Sequence, residues 1–491
     1  MHIHIVAVSG TGMGSLAGLL VELGHEVSGS DIAFDPPMGP ALREYGVRCL
    51  TGFDARHLEP APDLVVIGNV CRPDNPEARA ALERGIPYTH IAGALSRFAL
   101  ENTSPLVVAG THGKTTTTAL SAFLLDKTGF APGFLIGGLP KDFARSFRAK
   151  GPRRLGQLPA AEGHAAHRRK TPFVIEGDEY DTAFFEKTAK FLHYRPEVAI
   201  LTSIEHDHVD IYPTWSAYVE AFRRFVALLP EEGLLIANAA DPVVRELARE
   251  ARAEVAYFAL DGEDTGGTAP HWLASPAQVG PTGTSFDLFA GGVSCGRLAL
   301  SVPGRHNLKN ALAALAAAAQ GYGAELREIG PLLAQFQGVR RRQDLLGTPR
   351  GIFVYDDFAH HPSAVRETLL ALRQRHSTGK LIAVFEPRSA TACRKLHQDD
   401  YPAAFGPADF VLLAPLGRSQ LPPGEALDLS VLVSDLRKLG KDAELAPDLS
   451  GIPQRIAELA APGDVVLLLS NGSFGKIPER LPGVLAGLSA T

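Results

Sequence analysis

Residues 106–129, LVVAGTHGKTTTTALSAFLLDKTG, decide the fold. The apolar run LVVAG reads as a buried strand, the glycines break it, and TTTTALSAFLLDKTG has a helical pattern. Gly110-Thr111-His112-Gly113-Lys114-Thr115-Thr116 therefore lies between a strand and a helix. Backbone N–H groups and the helix dipole there would face a polyphosphate, with Lys114 to neutralise it and the Thr115 hydroxyl to reach Mg²⁺; the other reading is a glycine turn with an incidental lysine, against which strand, turn, Lys-Thr and helix all agree. The longer phosphate-loop pattern has a glycine where this chain has Val108, so the loop is a shortened variant.

Upstream, residues 1–100 alternate short apolar runs with helical patterns: HIHIVAVSG, SLAGLLVELG, EVSGSD and DLVVIGN. Such alternation predicts a parallel sheet with helices on both faces. LENTSP at 100–105 lacks periodicity and marks a boundary. Downstream, FVIEGD and VAILTSIEHDH read as strands, SAYVEAFRRFVALL as a helix, 284–302 as a β-rich stretch and HNLKNALAALAAAAQGYG as an Ala-rich helix. A third alternating segment starts near FQGVRRRQD. The expected class is α/β with three domains, over 1–102, 103–338 and 339–491. The segment 145–170 carries eight Lys or Arg and one acidic residue, and reads as a mobile surface loop.

At 491 residues, with 45% hydrophobic and 21% charged side chains, the chain fits a soluble globular protein of roughly three domains. No apolar run approaches the roughly 18 residues needed to span a membrane. The balance of 48 basic and 54 acidic residues, net -6, excludes a chain-wide grip on nucleic acid. Cys49, Cys71, Cys295 and Cys393 show no paired spacing, so a reducing cytoplasm is the simplest setting. MHIHIVAVSG has no charged leader with a small-residue cleavage site and reads as a first strand.

Further motifs end strands, where ligands gather at the carboxyl edge of a parallel sheet. Ser9-Gly10-Thr11-Gly12-Met13-Gly14 resembles a dinucleotide turn, with Ser15 replacing the third glycine; Ser30 and Asp31 end the next strand. NAD, another nucleotide-like anion and a plain structural turn are its three readings. Glu176-Gly177-Asp178-Glu179-Tyr180-Asp181 and Glu205-His206-Asp207-His208-Val209-Asp210 bring carboxylates and imidazoles suited to a hard cation. Zinc held by His206 and His208 lacks a third ligand, and His2 and His4 read as satisfied strand histidines. Pro303-Gly304-Arg305-His306-Asn307-Leu308-Lys309-Asn310 opens a helix with groups able to read an adenine. Arg340-Arg341-Arg342 stands at the second junction and reads equally as a cation that could swing onto a γ-phosphate or as a solvated basic turn. Asp356-Asp357-Phe358-Ala359-His360-His361-Pro362 ends a strand and resembles a metal pair, though a nucleotide contact fits better because other carboxylates already suit the metal.

Together these segments resemble the Mur ligases, ATP-dependent amide-forming enzymes of peptidoglycan, over almost the whole chain. GTHGKTT resembles the ATP loop, EGDEYD and SIEHDHVD the metal-binding Glu and His segments, PGRHNLKNALAA the adenine segment and DDFAHHP the third-domain nucleotide segment. The resemblance implies an N-terminal Rossmann-like UDP-binding domain, a central P-loop ATPase-like domain and a C-terminal Rossmann-like domain. It implies ATP and Mg²⁺, two ions, with Thr115, Glu176 and His208 as metal ligands, and Lys114, Glu176, His208 and Arg342 as catalytic residues. Gly110 to Thr116, Asn307, Asn310, Arg342 and Asp357 would bind ATP, with Arg341 the second choice for the mobile arginine.

VSGTGMGSLAGLL with VSGSD is similar to domains that take UDP-N-acetylmuramic acid, which assigns Ser9, Gly10, Thr11, Gly12, Met13, Ser30, Asp31 and Asn69 to that substrate. Two branches use this acceptor, one adding L-alanine and one adding the tripeptide L-alanyl-γ-D-glutamyl-meso-diaminopimelate in peptidoglycan recycling. EGDEYDTAFFEK, KFLHYRPEVAIL, FEPRSAT and LSNGSFGKIPERL are more like the tripeptide branch. A peptide with three carboxylates needs several donors, which Arg388, Ser389, Thr391, Arg394 and the turn at Asn471 supply. No nucleic acid or membrane partner is expected, and the chain is expected to be a cytoplasmic monomer or homodimer. Two features depart from the family pattern: Arg223 stands where many members carry a carbamylated lysine, which leaves the second metal site open, and 145–170 looks like an insertion. A nicotinamide dehydrogenase would leave the second phosphate loop unexplained. A non-catalytic ATP switch would need neither Glu176 nor His208.

Overall fold

The computed structural model describes residues 1–151, 170–280, 283–418, 421–422 and 424–487. Three main sheets follow one another along the chain, and a two-stranded one, β10 Asp181–Ala183 with β11 Glu186–Ala189, stands beside the second. The first is parallel, ordered β3-β2-β1-β4-β5, with β1 His2–Val6, β2 Glu26–Asp31, β3 Arg48–Thr51, β4 Leu64–Ile67 and β5 Tyr88–Thr89. The order turns around between β1 and β4, so the crevice for a ligand opens where Ser9 to Met13 follow β1.

The central sheet runs β17-β16-β15-β14-β13-β12-β6-β9-β7-β8. Its middle is parallel: β6 Ser104–Ala109, β9 Pro172–Gly177, β12 Val198–Leu201 and β13 Leu234–Asn238. β14 Glu254–Leu260 and the long strand β15 Trp272–Gly280 continue the parallel order, and antiparallel pairing begins with β16 Gly283–Ala290 and β17 Val293–Leu300, which fall in the stretch read as β-rich. At the other edge β7 Gly133–Leu135 pairs with β8 Phe147–Arg148.

Alternation explains why these strands are apolar throughout. Val107, Ala109, Phe173, Ile175, Ala199 and Leu201 pack into one core, and Leu106, Val108, Val174, Val198, Ile200 and Leu234 into another on the opposite face. The second core is closed by the Lys114–Lys127 helix and the Ala-rich Arg305–Ala316 helix. Alanines let that helix lie close to the Lys114–Lys127 helix. The first core is continuous with Ile3, Leu16 and Leu19 of the first sheet's layer, so the two domains share buried surface.

Phe147 belongs to that shared core. It is 2% exposed, and a Cβ added at Gly18 would lie 2.1 Å from its ring. The start of 145–170 is therefore an edge strand rather than a surface loop: one aromatic among the basic residues supplies enough burial to hold it, and Arg148 pairs with Asp126. Residues 152–169 of that segment lie outside the described residues.

The third sheet is ordered β18-β19-β23-β20-β21-β22: β18 Asp344–Gly347, β19 Phe353–Asp357, β20 Leu381–Phe385, β21 Phe410–Leu413, β22 Asp442–Leu445 and β23 Val465–Leu469. Only β18 is antiparallel. These are the three α/β units expected from the strand–helix alternation. No helix among the described residues is long and apolar enough to cross a membrane.

Candidate active site

The phosphate loop leaves β6 through Gly110 at φ +130° and enters the helix through Gly113 at φ +81°. Glycine is required at both for space as well as backbone angle: an added Cβ would lie 2.2 Å from Thr202 Oγ1 at Gly110 and 2.4 Å from Asn310 Oδ1 at Gly113. The loop is strapped to the segment after β12. Thr111 N–H donates to the Ser203 carbonyl at 2.7 Å, Thr202 Oγ1 to the His112 carbonyl at 2.6 Å, and Thr111 Oγ1 to the Glu205 carbonyl at 3.0 Å. Thr116 is buried in the first helical turn.

Lys114 is buried and donates to Glu179 at 2.8 and 3.2 Å and to the Gly110 carbonyl at 2.6 Å. Against the effect of burial, Glu179 followed by Asp178 raises the Lys114 pKa. Burial likewise opposes ionisation of Glu179, but Lys114 and then His208 hold its carboxyl down to about 2. His208, at φ +52°, places Nε2 3.4 Å from Glu179 Oε1, and this contact raises its pKa against burial. Glu179 is thus the hub that joins the loop lysine to the His segment. It stands in EGDEYD beside Glu176, and its central place in that cluster is the only trace of the role in the sequence.

Glu176 faces the other side of the loop. Thr115 Oγ1 donates to its Oε2 at 3.1 Å and the Gly137 N–H to its Oε1 at 2.5 Å. Burial, then the Asp178 carboxylate, push the Glu176 carboxyl up to about 6. Arg342 completes the group, donating to Thr115 Oγ1 at 3.1 Å and lying 5.0 Å from the centre of the Phe358 ring. Arg341 points away, into the third domain, where it holds Asp356 and the Ser470 and Gly472 carbonyls.

A hydroxyl and a buried carboxylate within hydrogen-bond distance, with a second carboxylate and an imidazole across Lys114, fit a hard divalent cation better than a soft one. Arg223, in the carbamyl-lysine slot, is engaged on the surface with Glu220, Glu246 and Glu250.

Asn307 and Asn310 are buried at the start of the Ala-rich helix, Asn310 Nδ2 donating to Asn307 Oδ1 at 3.3 Å and its Oδ1 facing Gly113. Asp357 accepts from the Gln343 and Ala359 N–H groups at 2.6 and 2.8 Å, which fixes the chain just after Arg342. Gln343 in turn donates to His306 Nε2 at 3.0 Å. His112 of the loop and His361 of the third domain each lie 3.3 Å from Glu205, and Ser363 donates to the same carboxylate. Central and C-terminal domains therefore meet beside the Gly110–Thr116 loop.

In the first domain, Gly10, Thr11 and Gly12 are exposed at the start of the Thr11–Glu22 helix and Met13 is buried beneath them. Asp31 accepts from the Ser9 N–H at 2.8 Å and so closes the turn. The Ser30 hydroxyl is committed to buried Glu77, as part of a network that also satisfies His4. Asn69 donates to Asp181 of the central domain at 3.1 Å.

Two cavities, each of about 410 Å³, share His208 and Asp210. One reaches Asn69 of the first domain; the other is walled by Arg388, Ser389, Thr391, Arg418 and Asn471 of the third. Arg388 is threaded between Gly417 and Gly472, and Asn471 Oδ1 is buried with no hydrogen-bond partner among the described residues. Arg394 instead pairs with Glu425. Arg418 follows β21 in a stretch with no motif, which is why it does not stand out in the sequence.

Residues 2–103, 108–318 and 341–472 match, in turn, the Mur ligase family catalytic domain, the Mur ligase middle domain and the Mur ligase glutamate ligase domain. The chain is 36% identical over 483 residues, 98% of its length and 97% of the relative's, to the UDP-N-acetylmuramate–L-alanyl-γ-D-glutamyl-meso-2,6-diaminoheptandioate ligase of Escherichia coli. It is 34% identical over 474 residues, 96% and 95% of the two chains, to a UDP-N-acetylmuramate–L-alanine ligase of Pelotomaculum thermopropionicum. The crystal structure of a murein peptide ligase from Psychrobacter arcticus superposes with a TM-score of 0.73 at 33% identity, covering 100% of both chains. With a phosphate loop, a carboxylate–imidazole site and two cavities meeting at His208, the chain belongs to the Mur ligase family of ATP-dependent amide-bond ligases.

Proposed function

We propose that this enzyme joins the lactoyl carboxylate of UDP-N-acetylmuramic acid to the alanyl amine of L-alanyl-γ-D-glutamyl-meso-diaminopimelate, as the relatives with that printed specificity do. The observation that carries the reading is the pair of cavities on either side of His208, one open to the first domain and one to the third. A carboxylate oxygen attacks the γ-phosphorus of ATP and ADP departs, leaving an acyl phosphate. The amine then attacks the acyl carbon, phosphate leaves, and the nitrogen loses a proton.

Positioning and charge stabilisation dominate phosphoryl transfer. Residues 103–338 hold ATP: Gly110 to Thr116 cradle the phosphates, Lys114 exchanges Glu179 for them, and Asn307 and Asn310 border the nucleotide. Arg342 brings its charge to the γ-phosphate from beside Thr115. Thr115, Glu176 and His208, with Glu179, would hold Mg²⁺, which spreads the phosphate charge. Residues 1–102 hold the UDP-sugar at Ser9 to Met13, Asp31 and Asn69, and residues 339–491 hold the peptide. Arg388, Ser389 and Arg418 meet its carboxylates, and Asn471 Oδ1 suits an ammonium or amide N–H. Contact between the domains keeps water from the acyl phosphate. The reaction is placed in the cytoplasm, in a monomer or homodimer.

The second reading, L-alanine as the amine, is favoured by the relatives named for that substrate at 34% identity. Free alanine brings one carboxylate where the tripeptide brings three, and so leaves part of the Arg388, Ser389 and Arg418 donor set of the third-domain cavity unused. Phosphate release measured with UDP-N-acetylmuramic acid plus either amine separates the two: turnover with the tripeptide and little with alanine is expected, and preference for alanine overturns the peptide assignment.

A further inference from the structure

The central domain reaches back to the first domain through a two-stranded hairpin, Asp181–Ala183 and Glu186–Ala189. Its tip is apolar. Phe184 and Phe185 pack on the first-domain core around Val6 and Val65, Phe185 meets Tyr88 edge-on with ring centres 5.1 Å apart, and Glu186 accepts from His90 at 3.0 Å. The hairpin stem therefore stands at a fixed place between the nucleotide turn of the first domain and His208.

Lys187 is on that stem and lines the cavity shared by Asn69, Tyr180, Asp181, His208 and Asp210. This is the cavity that connects the first domain to the metal-binding residues, so an acceptor carboxylate must cross it. Asp181 and Asp210 would repel such a group, and Lys187 is the one lysine or arginine lining it among the described residues. The neighbouring lysines are engaged elsewhere: Lys114 with Glu179, and Lys190 with Asp178 and over the Tyr180 ring at 3.9 Å. Lys187 is 68% exposed and, among the described residues, held only by Asp181 at 2.5 Å, a contact that a second carboxylate can share or replace at small cost.

We propose that Lys187 positions the acceptor by gripping its lactoyl carboxylate, with Asp181 holding the ammonium in readiness. This rests on the acceptor being UDP-N-acetylmuramic acid. Asp181 itself is tied to Asn69, so the same contact that links the two domains orients the lysine.

Calorimetric titration with UDP-N-acetylmuramic acid and with UDP-N-acetylglucosamine, which lacks the lactoyl group, tests it. The wild-type protein should bind the muramate more tightly, and Lys187→Gln should narrow that preference by about tenfold, the scale of one charge-assisted hydrogen bond, while Lys187→Arg keeps most of it. Asp181→Asn breaks the same ion pair but keeps the ammonium, so it should lose far less of the preference than Lys187→Gln does. If Lys187 only braces the hairpin, Lys187→Gln and Asp181→Asn behave alike and the preference survives in both, which overturns the proposal. A wild-type protein that turns over the muramate yet shows no preference also overturns it; one that binds neither nucleotide overturns the functional reading itself.

Discussion

Arg342 donates to the Thr115 hydroxyl at 3.1 Å, so the residue that follows the second interdomain junction touches the first turn of the ATP-loop helix. The cation belongs to the linker, and its position is set by Asp357, which grips the next residue's N–H.

Arg342→Ala should lower kcat for ADP formation by about 10³-fold, within the range for arginines that act on a γ-phosphoryl group. KM for the UDP-sugar should change little. Arg342→Lys should recover only a small part, because a lysine cannot reach Thr115 with the same planar donor set. Steady-state phosphate release checks both variants, and near-normal turnover in Arg342→Ala would move the role elsewhere.

Lys114→Ala should abolish ATP-dependent ligation and leave UDP-sugar binding intact, as measured by phosphate release and by calorimetry. Glu179→Gln removes the buried partner that holds both Lys114 and His208. ATP should still bind to this variant, since its lysine is freed. Turnover should fall by about 10²-fold because the His208 imidazole loses the group that orients it.

Gly472→Ala tests the peptide pocket without touching a charge. The new Cβ would lie 2.2 Å from Arg388 Cδ, so the arginine must leave its slot. KM for the tripeptide should rise by about tenfold or more, with KM for ATP and for the UDP-sugar unchanged. Arg388→Ala should give the same pattern, and a rise in KM for ATP instead would place the slot at the nucleotide.

His306 predicts the pH response of stability. Burial, then Lys309 and Arg342, push its imidazole down to about 4, below the ordinary value of 6.5. The unfolded chain therefore binds the proton first as pH falls. Stability from this group is complete above pH 6.5 and drains away between 6.5 and 4, by an amount of order 1–3 kcal/mol. Denaturant unfolding at pH 7.5 and pH 5 should show a smaller difference in His306→Gln than in the wild-type protein.

Much of this architecture is legible in short windows of sequence. Apolar runs that end in Gly110, Glu176 or Glu205 announce buried parallel strands with polar carboxyl ends, because a strand covered on both faces must be apolar along its whole length. The helices at 11–22, 114–127 and 305–316 follow from periodicity and the glycines before them. Phe147 escapes this reading because a two-residue strand has no period to detect, and its burial comes from Gly18 in another domain.

What the sequence by itself determined was the three α/β units, their order, and the polar residues that end each strand: these depend on neighbours along the chain, where backbone sterics and alternation act. Only the tertiary structure decided which charge meets which. Glu179 rather than Glu176 meets Lys114 and His208, Arg342 rather than Arg341 turns to Thr115, Ser30 is spent on Glu77, and Lys187 is carried to the cavity it shares with Asn69 and His208. These pairings join groups from different strand ends and different domains. A carboxylate finds its partner by distance and burial in space, and neither is written in local composition.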